Sequence, residues 1–140
     1  MQSYKIEKDI VLFGMQAATF PGGVQAAWEA LHKELATTKG RNFYGVSHGA
    51  ENGGVVYKSC VEEAFAGEAE NLGCERFVLP KGEYIGETIL NFRQQIAKIG
   101  EAFQALLARD DYDKVAGQCV EKYLSDTDVI CMIKTGVVKT

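Results

Sequence analysis

The stretch GQCVEKYLSDTDVICMIKT, from Gly117 to Thr135, decides the fold class. Two apolar runs flank the polar segment LSDTD, a pattern that predicts two strands around a turn. Side chains of a strand alternate between its two faces, so Cys119, Glu121 and Tyr123 share one face. A carboxylate on this strand face needs no special explanation if the face is exposed to solvent. If the face is covered, an uncompensated carboxylate is costly and needs a reason.

The rest of the chain repeats one order of elements. Apolar residues recur at three- and four-residue spacing in two segments, which predicts helices over residues 24–35 and 92–107. Further strands are predicted at residues 4–15, 43–47, 55–65, 76–79 and 83–87. The order is therefore strand, helix, strand, strand, and then the same order again.

This repeat predicts an α+β fold with two β-α-β-β halves, about 1–66 and 74–140, joined by the polar segment AGEAENLG. Each half is an antiparallel sheet with one long helix. Because neither half covers its own sheet, we expect the halves to pair about a pseudo-two-fold axis into one domain spanning 1–140. The strand faces away from the helices are expected to meet in a cleft, and clefts of this kind are usual ligand sites.

Composition narrows the function classes. The chain has 140 residues, a formal net charge of -4 and a sequence pI near 5.2. An acidic chain without a basic run lacks the charge that attracts nucleic acid or an anionic membrane surface. No signal peptide and no apolar stretch of about 20 residues is present, so we expect a cytoplasmic protein with four reduced cysteines. With two histidines and no C-x-x-C pair, we expect neither a metal site nor a cofactor.

Five segments carry a resemblance to a known family: AWEAL (27–31), FYGVSH (43–48), VVYKSCVEE (55–63), LPKGEYIGETI (79–89) and CVEKYLSDTDVICMIKT (119–135). In order and spacing they resemble the GyrI-like small-molecule-binding family, which also forms the effector-binding domain of AraC-type and MerR-type transcription regulators. The resemblance implies two strand-helix-strand-strand units around an aromatic-lined pocket. It also implies that Glu121, in VEKY, matches the glutamate that meets cationic or polar ligands. The 140 residues are taken up by this fold, so we expect no DNA-binding region, and the chain resembles the stand-alone members. The final segment MIKTGVV lacks the proline that the family often carries.

The predicted ligand-binding residues combine one carboxylate with four aromatic side chains. They are Trp28, Tyr57, Tyr84, Glu121 and Tyr123. A tyrosine offers an apolar ring and a hydrogen-bonding hydroxyl, so each of the three suits plain sheet packing as well as ligand contact. Glu121 has a structural alternative as a solvated strand residue paired with Lys58 or Lys122. Phe43 and Tyr44 point to opposite faces, and the sequence leaves open which one faces the cleft.

Three functions fit these residues. The first is a binding protein for amphipathic, aromatic or cationic compounds, serving sensing, sequestration or resistance. The second is a hydrolase of reactive small molecules, with Glu121 as catalytic general base and a tyrosine hydroxyl as donor. The third is a protein-interaction module of the gyrase-inhibitor type, which would have a protein partner. No serine–histidine or cysteine–histidine arrangement is visible in the sequence, so acyl-enzyme chemistry has no support.

Overall fold

A computed structural model describes residues 1–138 of the protein, except for the side chains of 112–117 and 137–138. The described residues form the strands β1 (Gln2–Ile6), β2 (Ile10–Gln16), β3 (Phe43–Gly49), β4 (Val55–Glu62), β5 (Arg76–Leu79), β6 (Gly82–Ile89), β7 (Tyr112–Tyr123) and β8 (Val129–Val138). The helices are α1 (Val24–Glu34), α2 (Glu68–Asn71) and α3 (Ala97–Ala108), with a 3-10 helix at Phe92–Gln94. The strand pairs β1–β6, β6–β8, β7–β8, β2–β4, β2–β5 and β3–β4 are antiparallel, which confirms the predicted α+β class.

The chain divides into two compact units. Unit 1 contains Met1–Lys8 and Pro80–Thr140, and unit 2 contains Asp9–Leu79. The strand order is β7-β8-β6-β1 in unit 1 and β3-β4-β2-β5 in unit 2. In both units a long helix follows one inner strand (β6 or β2) and leads into a two-stranded hairpin. This shared topology confirms the repeated order of elements.

Each unit contains one strand that the sequence repeat had placed in the other half: β1 lies in unit 1 and β5 lies in unit 2. The segment 4–15, predicted as one strand, is two strands, because the charged residues Glu7, Lys8 and Asp9 interrupt the apolar run. β1 pairs with β6 in unit 1, whereas β2 pairs with β4 and β5 in unit 2. The units therefore differ from halves drawn at 1–66 and 74–140 by the exchange of β1 and β5.

In unit 2, α1 covers one face of the sheet. Leu31 and Leu35 of α1 pack against Phe13 and Val61 of the strands. Ser59 lies fully buried on the same face, and its hydroxyl donates a hydrogen bond of 2.9 Å to the carbonyl oxygen of Ala27 in α1. A buried hydroxyl needs such a partner, so this bond explains a serine beneath the helix.

In unit 1, α3 covers the corresponding face. Phe103 and Leu106 of α3 pack against Ile85, Val129 and Cys131 of the strands.

Among the described residues, no helix combines the length and the apolarity that crossing a bilayer requires.

The helix predicted over residues 92–107 begins later than expected. Asn91 has a left-handed backbone conformation (φ 54°), and Phe92 donates its N–H to the carbonyl oxygen of Thr127 at 2.9 Å. This bond ties the chain to the β7–β8 turn, and the helical φ/ψ run breaks at Gln95 (φ -143°) before α3 starts. The predicted start was therefore wrong. Of the apolar residues that predicted this helix, Ile99, Phe103 and Leu106 lie in α3 and pack on the sheet, whereas Ile96 precedes α3 and is 59% exposed.

The polar segment predicted as a connection contains α2. Gly67 precedes it with φ 92°, a conformation that favours glycine. Glu68, the first residue of α2, is 8% exposed and accepts two hydrogen bonds from the guanidinium of Arg41, at 2.7 and 3.0 Å. Four residues are too few for a periodic signal in the sequence, which is why α2 was missed.

Candidate functional site

Five ring side chains form a continuous row in unit 2, called here the aromatic row: Phe20, Tyr57, Trp28, Phe43 and His32. Phe20 stacks on Tyr57 with ring centroids 5.9 Å apart. Trp28 makes T-shaped contacts with Phe43 and with His32, with ring centroids 6.0 and 6.2 Å apart. His32 in turn stacks on Phe43 at 5.2 Å. Aromatic faces attract cations, and aromatic rings also contact one another edge to face, so a row of rings suits cationic and aromatic ligands.

Local structure explains how α1 and the sheet present these rings. Trp28 and His32 are four residues apart on α1 and therefore lie on one side of it. Tyr57 is paired with Ser47, and Phe43 with Val61, in the β3–β4 ladder. Since Val61 packs against α1, the alternation of strand faces puts Phe43 and Tyr57 on the α1 side of the sheet.

A hydrogen bond joins the two predicted site residues of unit 2. The indole N–H of Trp28 donates to the hydroxyl oxygen of Tyr57 at 3.1 Å. An indole nitrogen is a donor only, so Tyr57 is the acceptor. Tyr57 is 3% exposed, whereas Trp28 is half-buried and Phe20 is 46% exposed. The bond fixes the indole plane within the row, while the exposed rings leave part of the row open to solvent.

Phe43, rather than Tyr44, belongs to the aromatic row. Tyr44 pairs with Cys60 on the opposite sheet face and is 2% exposed. Burial, and secondarily the charge of Glu62, raises the pKa of the Tyr44 hydroxyl to about 12. Tyr44 is therefore a neutral core residue at physiological pH.

In unit 1, Glu121 and Tyr123 contact each other directly. The hydroxyl of Tyr123 donates to Oε1 of Glu121 at 2.5 Å. The ring of Tyr123 meets Phe92 edge-on at 5.4 Å. Glu121 is 8% exposed, so its carboxylate is largely withdrawn from water.

The strand face of Glu121 is the face that α3 covers. Cys119 and Tyr123, which share this face with Glu121, pack against the cluster that includes Phe103 and Leu106 of α3. The sequence predicted that the ligand site lies on the strand faces that point away from the helices. For the face that carries Cys119, Glu121 and Tyr123 this expectation was wrong. The face is covered, so the carboxylate at Glu121 is not an ordinary solvated side chain.

Two thiols beside Glu121 are held in the protonated form. Burial first, and the Glu121 charge second, raises the pKa of Cys119 to about 11. The same two causes, in the same order, raise the pKa of Cys131 to about 12. A protonated thiol is a poor nucleophile. The chemistry that this face offers is therefore charge stabilisation, hydrogen bonding or proton transfer at Glu121.

Tyr84 lies apart from the other predicted residues of unit 1. It pairs with Tyr4 and Lys134 and is 1% exposed. Its neighbour Ile85 belongs to the α3 cluster, so Tyr84 points to the opposite sheet face. The Tyr84 hydroxyl donates to the carbonyl oxygen of Pro80 at 2.7 Å.

The structure thus brings together Trp28 with Tyr57, and Glu121 with Tyr123. Sequence reasoning missed the ring contacts of Phe20, His32 and Phe92. The four-residue spacing of His32 from Trp28 carried a signal, since it places both on one helix side. Phe20 lies in the irregular segment before α1, where no periodicity exists to indicate its contacts.

A shallow depression on the unit 2 sheet involves none of the predicted residues. It has a volume of about 50 Å³ and is lined by Phe13, Gly14, Gln16, Lys58, Cys60, Glu75 and Phe77. Drug-sized ligands occupy pockets of about 300–1,000 Å³, so this depression is far too small for one. Within the described part of the chain, no three His, Cys, Asp or Glu side chains are arranged to hold a metal ion.

Comparison with solved structures identifies the fold. An integron cassette protein from the mobile metagenome of Vibrio cholerae has a TM-score of 0.70 and 14% identity, covering 96% of this chain and 95% of that one. A hydrolase from Listeria innocua has a TM-score of 0.62 and 10% identity, covering 96% and 91%. SAV2435, solved bound to tetraphenylphosphonium, has a TM-score of 0.64 and 11% identity, covering 96% and 93%. No family profile and no curated protein sequence matches the chain. At these identities the likeness concerns the fold alone.

Proposed function

We propose that this chain is a small-molecule-binding protein of the GyrI-like type, which binds amphipathic or cationic compounds. The proposed ligand-binding residues remain Trp28 and Tyr57 of unit 2, and Tyr84, Glu121 and Tyr123 of unit 1. The motifs in the sequence and the fold shared with a tetraphenylphosphonium-bound protein support this function.

The observation that carries the proposal is the withdrawn carboxylate of Glu121. It is 8% exposed on an apolar strand face and accepts a 2.5 Å hydrogen bond from Tyr123. A largely buried carboxylate attracts a cationic ligand more strongly than an exposed one, because the surrounding protein screens the charge less than water does. The hydroxyl of Tyr123 holds Oε1 in place, so the carboxylate is oriented before any ligand arrives.

The aromatic row provides a second, independent reason for this ligand class. Lipophilic cations bind aromatic faces through the ring quadrupole, worth about 0.5–2 kcal/mol per contact. Trp28 meets Phe43 edge-on, and Phe20 stacks on Tyr57, so aromatic edges and faces both line the row. These rings suit a ligand that is both apolar and positively charged.

A titration with tetraphenylphosphonium tests the proposal. Trp28 is the only tryptophan of the chain, so its fluorescence reports on ligand near the aromatic row. Calorimetry measures total binding independently. Glu121→Gln keeps the side-chain volume but removes the charge. Opposite charges about 6 Å apart, at an effective dielectric constant between about 20 and 40, attract each other by about 1.4–2.8 kcal/mol, so we expect affinity to fall roughly tenfold to a hundredfold.

Two controls separate a local effect from a general one. Glu87→Gln removes another carboxylate of unit 1, on the strand next to β8 and opposite Cys131, and should leave affinity within about twofold. Neutral triphenylphosphine oxide should bind wild type and Glu121→Gln almost equally. Equal loss of tetraphenylphosphonium affinity in Glu87→Gln and Glu121→Gln would contradict a specific role for Glu121.

The same variant tests the hydrolase alternative. If Glu121 acts as a general base, Glu121→Gln should abolish turnover of a reactive electrophile such as an epoxide, with substrate binding nearly intact. If the protein is a binder, wild type shows no turnover above the uncatalysed rate.

A further inference from the structure

The tip of the β3–β4 hairpin holds four consecutive exposed residues, Glu51, Asn52, Gly53 and Gly54. The N–H of Gly53 donates to the carbonyl oxygen of Ala50 at 3.0 Å, which closes a β-turn. Gly53 has a φ of 87°, a backbone conformation that favours glycine. The N–H of Gly54 donates to Oδ1 of Asn52 at 3.0 Å. The turn therefore holds the side-chain amide of Asn52 against the backbone that follows it.

We propose that Asn52 is a site of spontaneous modification, at which the side-chain amide becomes a carboxylate through a cyclic imide formed with Gly53. The backbone nitrogen of Gly53 loses its proton to a base in solution and attacks Cγ of Asn52. The new N–Cγ bond forms, the Cγ–Nδ2 bond breaks, and Nδ2 takes up a proton and leaves as ammonia. A water molecule then opens the ring at either carbonyl carbon, which yields aspartate or isoaspartate. The modification needs no ligand and is independent of the proposed function.

Two features of the turn favour this reaction. Glycine has no Cβ, so no side chain hinders the approach of the Gly53 nitrogen to Cγ of Asn52. The N–H of Gly54 polarises the amide carbonyl and lies where it stabilises the negative charge that develops on Oδ1 during the attack.

One hydrogen bond of the turn opposes the reaction. The N–H of Gly53 has to leave the carbonyl oxygen of Ala50 before the nitrogen can attack. This bond lies at an exposed hairpin tip, beyond the last pair of the β3–β4 ladder. Exposed backbone hydrogen bonds at such places open locally at low cost, so the bond slows the attack without preventing it.

The other three asparagines of the chain provide internal references. Asn42, Asn71 and Asn91 are exposed as well, so exposure alone does not single out Asn52. Each of the three is followed by phenylalanine or leucine, whose side chain hinders the attack. The backbone nitrogens that follow Asn71 and Asn91 are moreover held by hydrogen bonds to carbonyl oxygens of α2 and of the β7–β8 turn.

Incubation of the folded protein in a mildly alkaline buffer tests the proposal. Peptide mapping by mass spectrometry measures conversion at each asparagine, and anion-exchange chromatography follows the added negative charge on the intact chain. We expect conversion at Asn52 to be at least about tenfold faster than at Asn42, Asn71 or Asn91. Equal rates at the four positions would overturn the proposal.

Two matched variants test the assignment to Asn52. Asn52→Gln should remove the early acidic species, because a glutamine side chain has to close a larger ring. Asn71→Gln replaces another exposed asparagine and should leave the acidic species unchanged. Thermal melting checks that both variants fold. An acidic species that forms in Asn52→Gln as fast as in wild type would overturn the assignment.

A comparison with the protein unfolded in guanidinium chloride tests the contribution of the turn. We expect the native rate at Asn52 to be at least about one tenth of the unfolded rate, because the tip is exposed and Gly54 polarises the amide. A lower native rate would show that the bond from Gly53 to Ala50 protects the site, and it would overturn the proposal for the folded protein.

Discussion

The ion pair between Arg41 and Glu68 allows a quantitative prediction about stability. Both side chains are nearly buried, with 11% and 10% of their surfaces exposed. Glu68 accepts from both terminal nitrogens of Arg41 and from the backbone N–H of Ala64 at 2.9 Å. Arg41 also donates to the carbonyl oxygen of Glu62 at 3.0 Å. These bonds tie the start of β3, which carries Phe43, to the end of β4 and to α2.

Glu68→Gln should destabilise the protein by about 3–5 kcal/mol, because removing one partner of a buried pair leaves the other charge uncompensated. A variant with apolar residues at both positions, Arg41→Met with Glu68→Met, should recover much of that loss. It should remain within about 2 kcal/mol of wild type, the remainder reflecting the lost acceptor for the Ala64 N–H.

The pH dependence has a definite sign. Burial by itself would raise the pKa of the Glu68 carboxyl, but the hydrogen bonds from Arg41 and Ala64 and the charge of Arg41 outweigh burial and lower the pKa below its ordinary value of 4.5. The pair therefore stabilises the fold fully above pH 4.5 and loses this contribution as pH falls through the lowered pKa. The stability difference between wild type and Glu68→Gln should shrink on acidification in that range.

Urea denaturation at pH 7 and at several acidic values, followed by circular dichroism, measures these differences. A loss of less than about 1 kcal/mol in Glu68→Gln at pH 7 would refute the assignment of a strong buried pair. A double variant as unstable as Glu68→Gln would show that the uncompensated Arg41 charge is not the cause.

Two further predictions concern the glycines and the thiols. Gly14→Ala should destabilise the fold by at least about 2 kcal/mol, because the added Cβ would lie 1.7 Å from the carbonyl oxygen of Ser59, and the backbone has to move. Gly100→Ala in α3 is the matched control, since nothing lies within 4 Å of its added Cβ. Urea denaturation should show that this control raises the free energy of unfolding by about 0.5–1 kcal/mol. Equal losses of stability in both variants would refute the steric reasoning. A thiol-reactive disulfide reagent at pH 7 should label the native protein slowly and the urea-unfolded protein at once, because burial raises the pKa of all four thiols. Rapid native labelling of Cys60 or Cys131, identified by mass spectrometry, would contradict this prediction.

Local sequence patterns determined the positions of the helices and strands, and also the contact between Glu121 and Tyr123. The three- and four-residue spacing of apolar side chains located α1 and the apolar face of α3, because a helix places such residues on one side. Strand alternation put Glu121 and Tyr123 on one face, and their hydrogen bond follows from two-residue spacing in a strand. Both inferences succeed because they depend on neighbours within the same element.

Contacts between distant segments were decided by tertiary structure. The hydrogen bond from Trp28 to Tyr57 joins residues 29 positions apart, and it depends on how α1 sits over β4. The pairing of β1 with β6, and of β5 with β2, exchanges strands between the two units. Alternation alone cannot show which face of a strand packs against the helix. The sequence therefore determined that Cys119, Glu121 and Tyr123 share one strand face, whereas only packing decided that α3 covers that face. Tyr84 lies on the opposite face for the same reason, since strand register and helix docking are set by burial across the whole sheet.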